Sequence, residues 1–258
     1  MALLELKQVE YSYGGSFTAL RDVSFTAEAG EFVCIVGPSG CGKSTLLDLI
    51  DGLAHPTRGE VNIGGKRVEA PGPDRAMVFQ AHGLLPWRTV SGNIAFALEA
   101  TQSDALRKEA PAARRERIDK LIALVGLGGF ANFYPGALSG GMRQRVNLAR
   151  ALAVEPDILL MDEPFAALDA QTRDIMQVEL LRVWQQRKAT VLFVTHSIQE
   201  AVFLADRVIV ISGRPGTVKR EVRIDLPRPR QPEVRHTHEF HVYEEQIAEE
   251  IYHVQSSS

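Results

Sequence analysis

The sequence predicts an α/β fold that carries an inserted, mostly helical lobe, and three observations lead to this prediction. Unbroken apolar runs at residues 32–36, 158–161, 191–194 and 208–211 are typical of strands buried on both faces of a sheet. Helical patterns alternate with these runs, as expected for a parallel sheet with crossover connections. Strand signals are absent between residues 89 and 153, where Ala, Leu, Arg and Glu recur at helical spacing.

The remaining elements are predicted from local periodicity and turn residues. In chain order they are strands at residues 4–11 and 23–27, a helix at 44–53, two strands within 59–68, a short strand at 78–79, helices near 91–100, 111–125 and 141–153, and a closing amphipathic helix at 244–252. A segment rich in Pro and Arg begins at Pro227 and precedes the closing helix.

Composition excludes several classes of protein. Of the 258 residues, 45% are hydrophobic and 24% charged, which is typical of a globular chain. The net charge of -3 gives no overall attraction to nucleic acid. Two cysteines fit a reducing compartment, and the first residues lack the long apolar core of a secretory signal. The longest apolar runs are too short to span a bilayer, so any membrane role is expected from outside the lipid.

A phosphate-binding loop is predicted at residues 37–44, GPSGCGKS, which match G-x-x-x-x-G-K-S between a buried strand and a helix. Its glycines let successive backbone N–H groups point at phosphate oxygens, and the helix N-terminus adds positive charge. Lys43 supplies a cation to the β- and γ-phosphates, and Ser44 offers a hydroxyl to magnesium. The alternative is a glycine turn that matches by chance. The motif alone also fits kinases, GTPases and many ATPases.

Four further motifs narrow the class through their order. They are LSGGM at residues 138–142, ILLMDE at 158–163, FAALD at 165–169, and His196 after an apolar strand. Each alone has a simple structural explanation: a loop, a strand end with solvated acids, or a structural histidine. In this order they resemble the ATP-binding cassette (ABC) family, and the resemblance covers residues 3–225. Met142 departs from the family pattern, which commonly has Gln there.

The resemblance implies a P-loop NTPase (ABC ATPase) core with a mixed sheet, an N-terminal antiparallel β subdomain and an inserted helical lobe. The expected divisions are a RecA-like core at residues 1–84 and 156–226, a helical lobe with the signature motif at 85–155, and a C-terminal tail and helix at 227–258.

The resemblance also implies ATP and Mg²⁺ as ligands and assigns residues to them. The nucleotide-binding residues are Tyr13, Gly37, Pro38, Ser39, Gly40, Cys41, Gly42, Lys43, Ser44, Thr45, Ser139, Gly140 and Gly141. Tyr13 matches the aromatic residue that stacks on adenine, and Tyr11 is the competing candidate.

Catalytic and metal-binding roles follow from the same resemblance. Glu163 resembles the general base, and His196 the switch histidine that contacts the γ-phosphate. Gln80 matches the glutamine that reaches both magnesium and the attacking water. Ser44, Gln80 and Asp162 are the expected magnesium ligands.

The family resemblance implies a homodimer, because the signature Ser139-Gly140-Gly141 closes on the nucleotide of the opposite subunit, with Asp169 near the interface. It further implies membrane permease subunits, a periplasmic or extracellular substrate-binding protein that is contacted indirectly, no nucleic acid, and a peripheral position on the cytoplasmic face of the membrane. Residues 82–87, with Trp87, are expected to contact the permease. The alternative is that they pack the boundary of the lobe.

A second function remains open at this point, since ABC-type ATPases also act on DNA or ribosomes. The interval between the phosphate loop and the signature is under a hundred residues and lacks heptads, and the chain has one cassette, so transport is favoured. The runs HGLLPWRTV and THSIQEAVFLADRVIVISGRPG resemble the nitrate, sulfonate and taurine importer group. Organic sulfonate or taurine ranks first as cargo on this resemblance alone.

Overall fold

A computed structural model describes residues 2–79, 83–101 and 103–255. The chain divides into two compact units, each formed from separated segments. The first unit comprises Met1–Pro71, Leu160–Glu163 and Lys188–Ser258, and the second comprises Gly72–Leu159 and Pro164–Arg187.

The described residues form ten strands and eight α-helices. The strands are β1 (Ala2–Tyr13), β2 (Phe17–Glu28), β3 (Phe32–Val36), β4 (Arg58–Ile63), β5 (Lys66–Arg67), β6 (Arg75–Val78), β7 (Ile158–Asp162), β8 (Thr190–Val194), β9 (Arg207–Ile211) and β10 (Val218–Arg223). The helices are α1 (Lys43–Asp51), α2 (Val90–Ala100), α3 (Asp104–Arg107), α4 (Pro111–Leu124), α5 (Gly140–Ala153), α6 (Ala170–Arg187), α7 (Ile198–Leu204) and α8 (His238–Gln255).

The central sheet of the first unit has the strand order β10-β9-β3-β8-β7. β3 pairs in parallel with β8 and β9, so that Cys34 lies opposite Phe193 on one side and Val208 on the other. Every residue of β3 and β8 is buried, which explains their unbroken apolar sequences. Because these strands are parallel, the loops that follow them all leave the sheet at the carboxyl ends of the strands, where open α/β sheets commonly bind ligands.

A second sheet in the first unit is antiparallel, with the order β2-β1-β4-β5. Gly14 and Gly15 form the turn between β1 and β2 with φ of 57° and 73°, a conformation that glycine adopts without a steric penalty. On the buried face Val9 lies opposite Val23, and both are fully buried. The turn ends β1 at Tyr13.

The second unit is mainly helical. Its short strand β6 lies beside the first residues of β7, where the N–H groups of Asp157 and Ile158 donate to the Asp74 carbonyl oxygen at 2.8 and 3.0 Å. α2, α4 and α5 pack together through apolar side chains that include Ile94, Leu121 and Val146.

Buried Asn93 fixes the segment that enters α2. Its side-chain oxygen accepts the Leu85 N–H at 2.8 Å, and its side-chain nitrogen donates to the carbonyl oxygens of Leu85, Arg88 and Thr89 at 3.0 to 3.1 Å. Thr89 also caps α2, since its hydroxyl accepts the Gly92 N–H at 3.2 Å. Residues 85–89 therefore have a defined backbone even though they form no regular element.

Within the first unit, the C-terminal segment packs against α7 through Arg230, which is 3% exposed. Its guanidinium donates to five backbone carbonyl oxygens, those of Val202, Phe203, Ala205, Ile224 and Leu226. Burial, helped by the charge of Arg228, lowers the pKa of Arg230 to about 10. Three of these acceptors lie at the C-terminal end of α7, where helix carbonyls lack partners within the helix.

The predicted fold class is confirmed: the sheet is mixed, the N-terminal sheet antiparallel and the lobe helical. Several elements differ from the prediction: β2 begins at Phe17 rather than at residue 23, β6 covers Arg75–Val78 rather than 78–79, and α3 was not predicted. The reasons are clearest for β10 and α8. β10, with the sequence VKREVR, was not predicted because its charged side chains hide the alternation of an edge strand. α8 begins at His238 rather than near residue 244, because the Thr237 hydroxyl accepts the Phe240 N–H and caps the helix. No helix within the described ranges is long and apolar enough to cross a membrane.

Candidate functional site

A cleft of about 480 Å³ opens in the first unit beside the loop that joins β3 to α1. Its lining combines an aromatic side chain at the end of β1 with the phosphate-binding loop and one acidic residue. The lining residues are Tyr13, Phe17, Ala19, Ser39, Gly40, Gly42, Lys43, Ser44, Thr45, Glu163 and Arg214.

The glycines of the loop are required by close packing. A Cβ at Gly37 would lie 2.5 Å from the Ile211 carbonyl oxygen, and a Cβ at Gly42 would lie 2.7 Å from Cδ2 of Leu20. Gly42 has a φ of 94° and is the residue before α1, and no side chain caps this helix. The N–H groups of the first turn are therefore free of a side-chain cap, which suits the binding of an anion.

Lys43 is buried against the loop and stabilises its shape. Its Nζ donates to the carbonyl oxygens of Gly37 and Pro38 at 2.8 and 3.0 Å and lies 3.8 Å from Sγ of Cys41. Cys41 is 1% exposed, and burial raises the pKa of its thiol, although the Lys43 charge opposes the shift. Gly37, Pro38 and Cys41 thus form the floor of the loop, while its other predicted residues line the cleft.

The aromatic end of the cleft contains Tyr13 rather than Tyr11. The hydroxyl groups of Tyr13 and Thr45 are hydrogen-bonded at 2.8 Å, which ties β1 to the start of α1. The ring of Phe17 stacks on Tyr13 with centroids 6.4 Å apart, and Tyr11 contacts Tyr13 edge-on at 4.9 Å. Tyr11 is not among the lining residues, so the geometry favours Tyr13 as the base-stacking residue.

Glu163 and His196 meet at the ends of β7 and β8. Glu163 has a φ of 42°, a left-handed conformation that is strained for a side chain of this type, and its N–H donates to the Val194 carbonyl oxygen at 3.0 Å. Nδ1 of His196 lies 3.0 Å from Oε2 of Glu163. The carboxylate is therefore held by a histidine while it lines the cleft, which is the arrangement expected of an oriented general base.

Asp162 and Ser44 supply oxygen ligands that fit magnesium. Burial raises the pKa of the Asp162 carboxyl and Glu163 adds to the shift, whereas a hydrogen bond from the Ser44 hydroxyl and the Lys43 charge oppose it. Mg²⁺ bound with a nucleotide uses one or two protein carboxylates or hydroxyls, and phosphates and water complete its shell. The pair Ser44 and Asp162 matches that requirement, and neutralisation by a cation would remove the penalty of burying the carboxylate.

The remaining predicted residues lie elsewhere in the chain. Gln80 and His82 fall outside the described residues. Ser139, Gly140 and Gly141 belong to the second unit, at the start of α5.

Packing and capping fix the signature segment within the second unit. The Ser139 hydroxyl accepts the Met142 N–H at 3.3 Å, and a Cβ at Gly141 would lie 2.5 Å from Cγ2 of Thr172. Asp169 caps α6 by accepting the Thr172 N–H at 3.0 Å, a bond that lowers the pKa of its exposed carboxyl. Gly141 is therefore needed for contact with α6, and Ser139 begins α5 with its side chain on the backbone.

Phe17 and Arg214 line the cleft but were not predicted from the sequence. The available signal was topological: β9 is parallel to β3, so the loop GRPG after β9 meets the phosphate-binding loop after β3 at one sheet edge. Phe17 follows the glycine turn after Tyr13 and pairs with it across β1 and β2.

Comparison with known proteins gives consistent results. The family described as ABC transporter matches residues 20–166, which is more than half of the chain. An uncharacterised ABC transporter ATP-binding protein of Methanocaldococcus jannaschii is 52% identical over 91% of this chain and 84% of its own length. The nitrate import ATP-binding protein NrtD of a Synechocystis strain is 45% identical over 96% of this chain and 93% of its own length.

A solved structure of a dimeric ATP-binding cassette, in a post-hydrolysis state with ADP and phosphate, is also similar. It is 34% identical to this chain, with a TM-score of 0.72, and the match covers 87% of this chain and 100% of that one.

Proposed function

This chain belongs to the ABC transporter family and is an ATP hydrolase, and we propose that it is the ATP-hydrolysing subunit of an importer, working as a homodimer beneath a separate membrane permease. The observation that carries the proposal is the cleft of the first unit, where a phosphate-binding loop, Tyr13 and a histidine-held Glu163 come together. We further propose that the chain acts at the cytoplasmic face of the membrane as a peripheral subunit.

The mechanism follows from the positions of these side chains. Tyr13 stacks on adenine, and the loop N–H groups with Lys43 hold the phosphates. Ser44 and Asp162 would hold Mg²⁺, which would supply positive charge against the phosphates of the nucleotide. Glu163 takes a proton from the attacking water, and His196, 3.0 Å away, orients that carboxylate and contacts the γ-phosphate.

Dimerisation is proposed from the signature segment. Ser139, Gly140 and Gly141 begin α5 in the second unit, and the N-terminal end of a helix attracts phosphate. In a dimer each signature would close on the nucleotide in the partner's cleft. The similar solved cassette is itself dimeric, which supports this arrangement.

The permease contact is proposed at residues 83–87 and the neighbouring cleft of the second unit. Trp87 is 72% exposed, although Asn93 fixes the backbone on both sides of it. The cleft, of about 810 Å³, includes Thr89, Ala95 and Ile118 in its lining. A large exposed aromatic on a fixed backbone is typical of a protein-binding surface.

Nitrate is our first candidate for the cargo. The Synechocystis relative is named for nitrate import, whereas the sequence resemblance alone ranked organic sulfonate or taurine first. Action on DNA or ribosomes is not favoured, because the relatives from Methanocaldococcus and Synechocystis are both named as ATP-binding proteins of transport systems.

Co-purification from the native host tests the proposal. The tagged chain should recover a multi-span permease from gently solubilised membranes, and Trp87→Ala should lose that permease while keeping ATP binding. Phe130→Ala, which changes another exposed aromatic of the same unit, is the matched control and should retain the permease. Recovery of only DNA-repair or ribosomal proteins would contradict the importer assignment. Uptake of labelled nitrate and taurine in a strain lacking the chain would then separate the two cargoes.

A further inference from the structure

We propose that Arg214 is a nucleotide-contacting residue that binds the phosphates of ATP from the loop after β9. The inference rests on the proposed nucleotide cleft and adds to it a second cation, one that no motif of the sequence identifies. Three features carry it: the packing of this loop on the phosphate-binding loop, its internal bracing, and the unused donors of the guanidinium.

The loop after β9 packs directly against the phosphate-binding loop. Val210 lies opposite Val36 in the parallel pair of β9 and β3, so the two loops begin side by side. A Cβ at Gly216 would lie 2.2 Å from the Cys41 carbonyl oxygen. The Gly216 N–H also donates to the Ala19 carbonyl oxygen at 2.9 Å. Residue 214 is thus held at the rim of the cleft by its own backbone.

Ser212 stabilises the loop through hydrogen bonds to other residues of the same loop. Its hydroxyl accepts the Thr217 N–H at 2.8 Å, lies 2.9 Å from Oγ1 of Thr217 and donates towards the Pro215 carbonyl oxygen at 3.1 Å. A loop closed by three such contacts loses little entropy when a ligand binds, because its residues are already ordered.

Among the residues that the structure describes, the Arg214 side chain leaves most of its hydrogen-bond donors without a partner. Its Nε donates to the Gly40 carbonyl oxygen at 2.9 Å, and its guanidinium carbon lies 5.8 Å from the centre of the Phe17 ring. A guanidinium has five N–H donors, so the four on its two terminal nitrogens remain for a ligand. These groups form a planar fork that matches phosphate geometry.

The charge of the cleft favours a phosphate as the partner of these donors. Among the described lining residues, Lys43 and Arg214 are the cations and Glu163 the acid. Lys43 Nζ donates to the carbonyl oxygens of Gly37 and Pro38. Arg214 contacts Gly40, which lines the cleft, so the two cations bond different residues of the same loop.

Equilibrium binding of the non-hydrolysable β,γ-imido analogue of ATP with Mg²⁺ tests the proposal. Arg214→Met and Arg214→Gln should raise the Kd about tenfold, as expected from the loss of one charge-assisted contact of about 1.4 kcal/mol. Arg214→Lys should raise the Kd by only about threefold, because it keeps the charge but loses the planar fork. Salt screens charge contacts, so the gap between wild type and Arg214→Met should shrink when KCl rises from about 0.05 M to about 0.5 M.

A role limited to bracing Gly40 predicts a different pattern, in which Gln and Lys both preserve binding and salt leaves the Met effect unchanged. Either that pattern or an unchanged Kd in Arg214→Met overturns the proposal. Arg223→Met, which changes an exposed cation of β10 outside the lining, should bind the ATP analogue like the wild type.

The substitution Lys43→Ala tests the cleft itself. If Lys43→Ala binds the analogue normally, the assignment of the cleft fails, and this inference fails with it. If Lys43→Ala loses binding while the Arg214 variants keep it, the inference alone fails.

Discussion

Glu163 combines a strained backbone with a defined hydrogen-bond partner. Its φ of 42° costs about 1–3 kcal/mol for a residue other than glycine. The N–H bond to Val194 and the 3.0 Å contact with His196 hold it in that conformation. Strain of this kind persists where surrounding contacts hold a residue in one conformation. Here those contacts place the Glu163 carboxylate on the wall of the nucleotide cleft.

The substitution Glu163→Gln should separate binding from hydrolysis. The amide keeps the size of the side chain but cannot accept the proton of water, so the turnover number should fall by about 10²–10⁴ while the Kd for ATP stays within about twofold. Phosphate release and equilibrium nucleotide binding measure the two quantities. Glu239→Gln on α8 is the control and should hydrolyse ATP normally. Near-normal turnover in Glu163→Gln would remove Glu163 from the role of general base.

The two cysteines should resist alkylation in the folded protein. Both are free and buried, and burial raises the pKa of each thiol, so less of the reactive thiolate forms at pH 8. Mass spectrometry after iodoacetamide treatment should find little labelling under native conditions and two labels in denaturant. Fast native labelling of Cys41 would show that the phosphate-binding loop opens in solution.

The C-terminal segment and α7 are joined by a network of hydrogen bonds. Arg230 donates to three carbonyl oxygens at the end of α7, and Arg228 donates to the Leu204 carbonyl oxygen at 2.7 Å and to Asp206 at 2.8 Å. α7 itself begins two residues after His196, with Ser197 as its cap. The segment therefore stabilises the helix that follows His196.

Arg230→Met should destabilise the protein by about 3 kcal/mol, because it leaves several buried carbonyl oxygens without donors. For a chain of this size the thermal midpoint should fall by about 6–12 °C. Arg220→Met, which removes an exposed ion pair with Glu250 on α8, should cost less than about 1 kcal/mol. Differential scanning calorimetry measures both. Equal effects of the two substitutions would show that burial of Arg230 carries no special stability.

Periodicity predicted the elements that combine strong patterns with strong boundaries. β3 is a continuous apolar strand followed by glycines, and α5 follows a serine cap, so both were predicted near their observed bounds. β10 was missed because its alternation is carried by charged residues. In the site, residues within one motif were predicted. Phe17 reaches the cleft through the β1–β2 hairpin, and Arg214 through the parallel pairing of the distant strands β3 and β9. A single sequence does not encode that pairing in any local pattern.

For the whole molecule, the proposed dimer predicts a response to ATP. Glu163→Gln should elute as a dimer with ATP and as a monomer without it, because bound ATP would join the cleft of one subunit to the signature of the other. Adding Gly140→Asp should prevent the dimer, because its carboxylate would repel the phosphates of ATP. The fold should tolerate this substitution, because among the described residues a Cβ at Gly140 would meet Leu168 alone, at 3.4 Å. Size-exclusion chromatography with light scattering measures the mass. A dimer that persists in the double variant would contradict signature-mediated closure.

The hydrogen bonds from Arg230 to the end of α7 set a lower limit on the length of chain that folds stably. The recognisable motifs end with His196, and an expression boundary drawn just after them, or even after β10, would discard the donor that satisfies five carbonyl oxygens. A shortened chain of that kind would retain every nucleotide-binding motif and still be prone to misfold. Protein engineers who fuse a reporter or a regulatory domain to this ATPase should therefore join it beyond α8 and leave the segment around Arg230 intact.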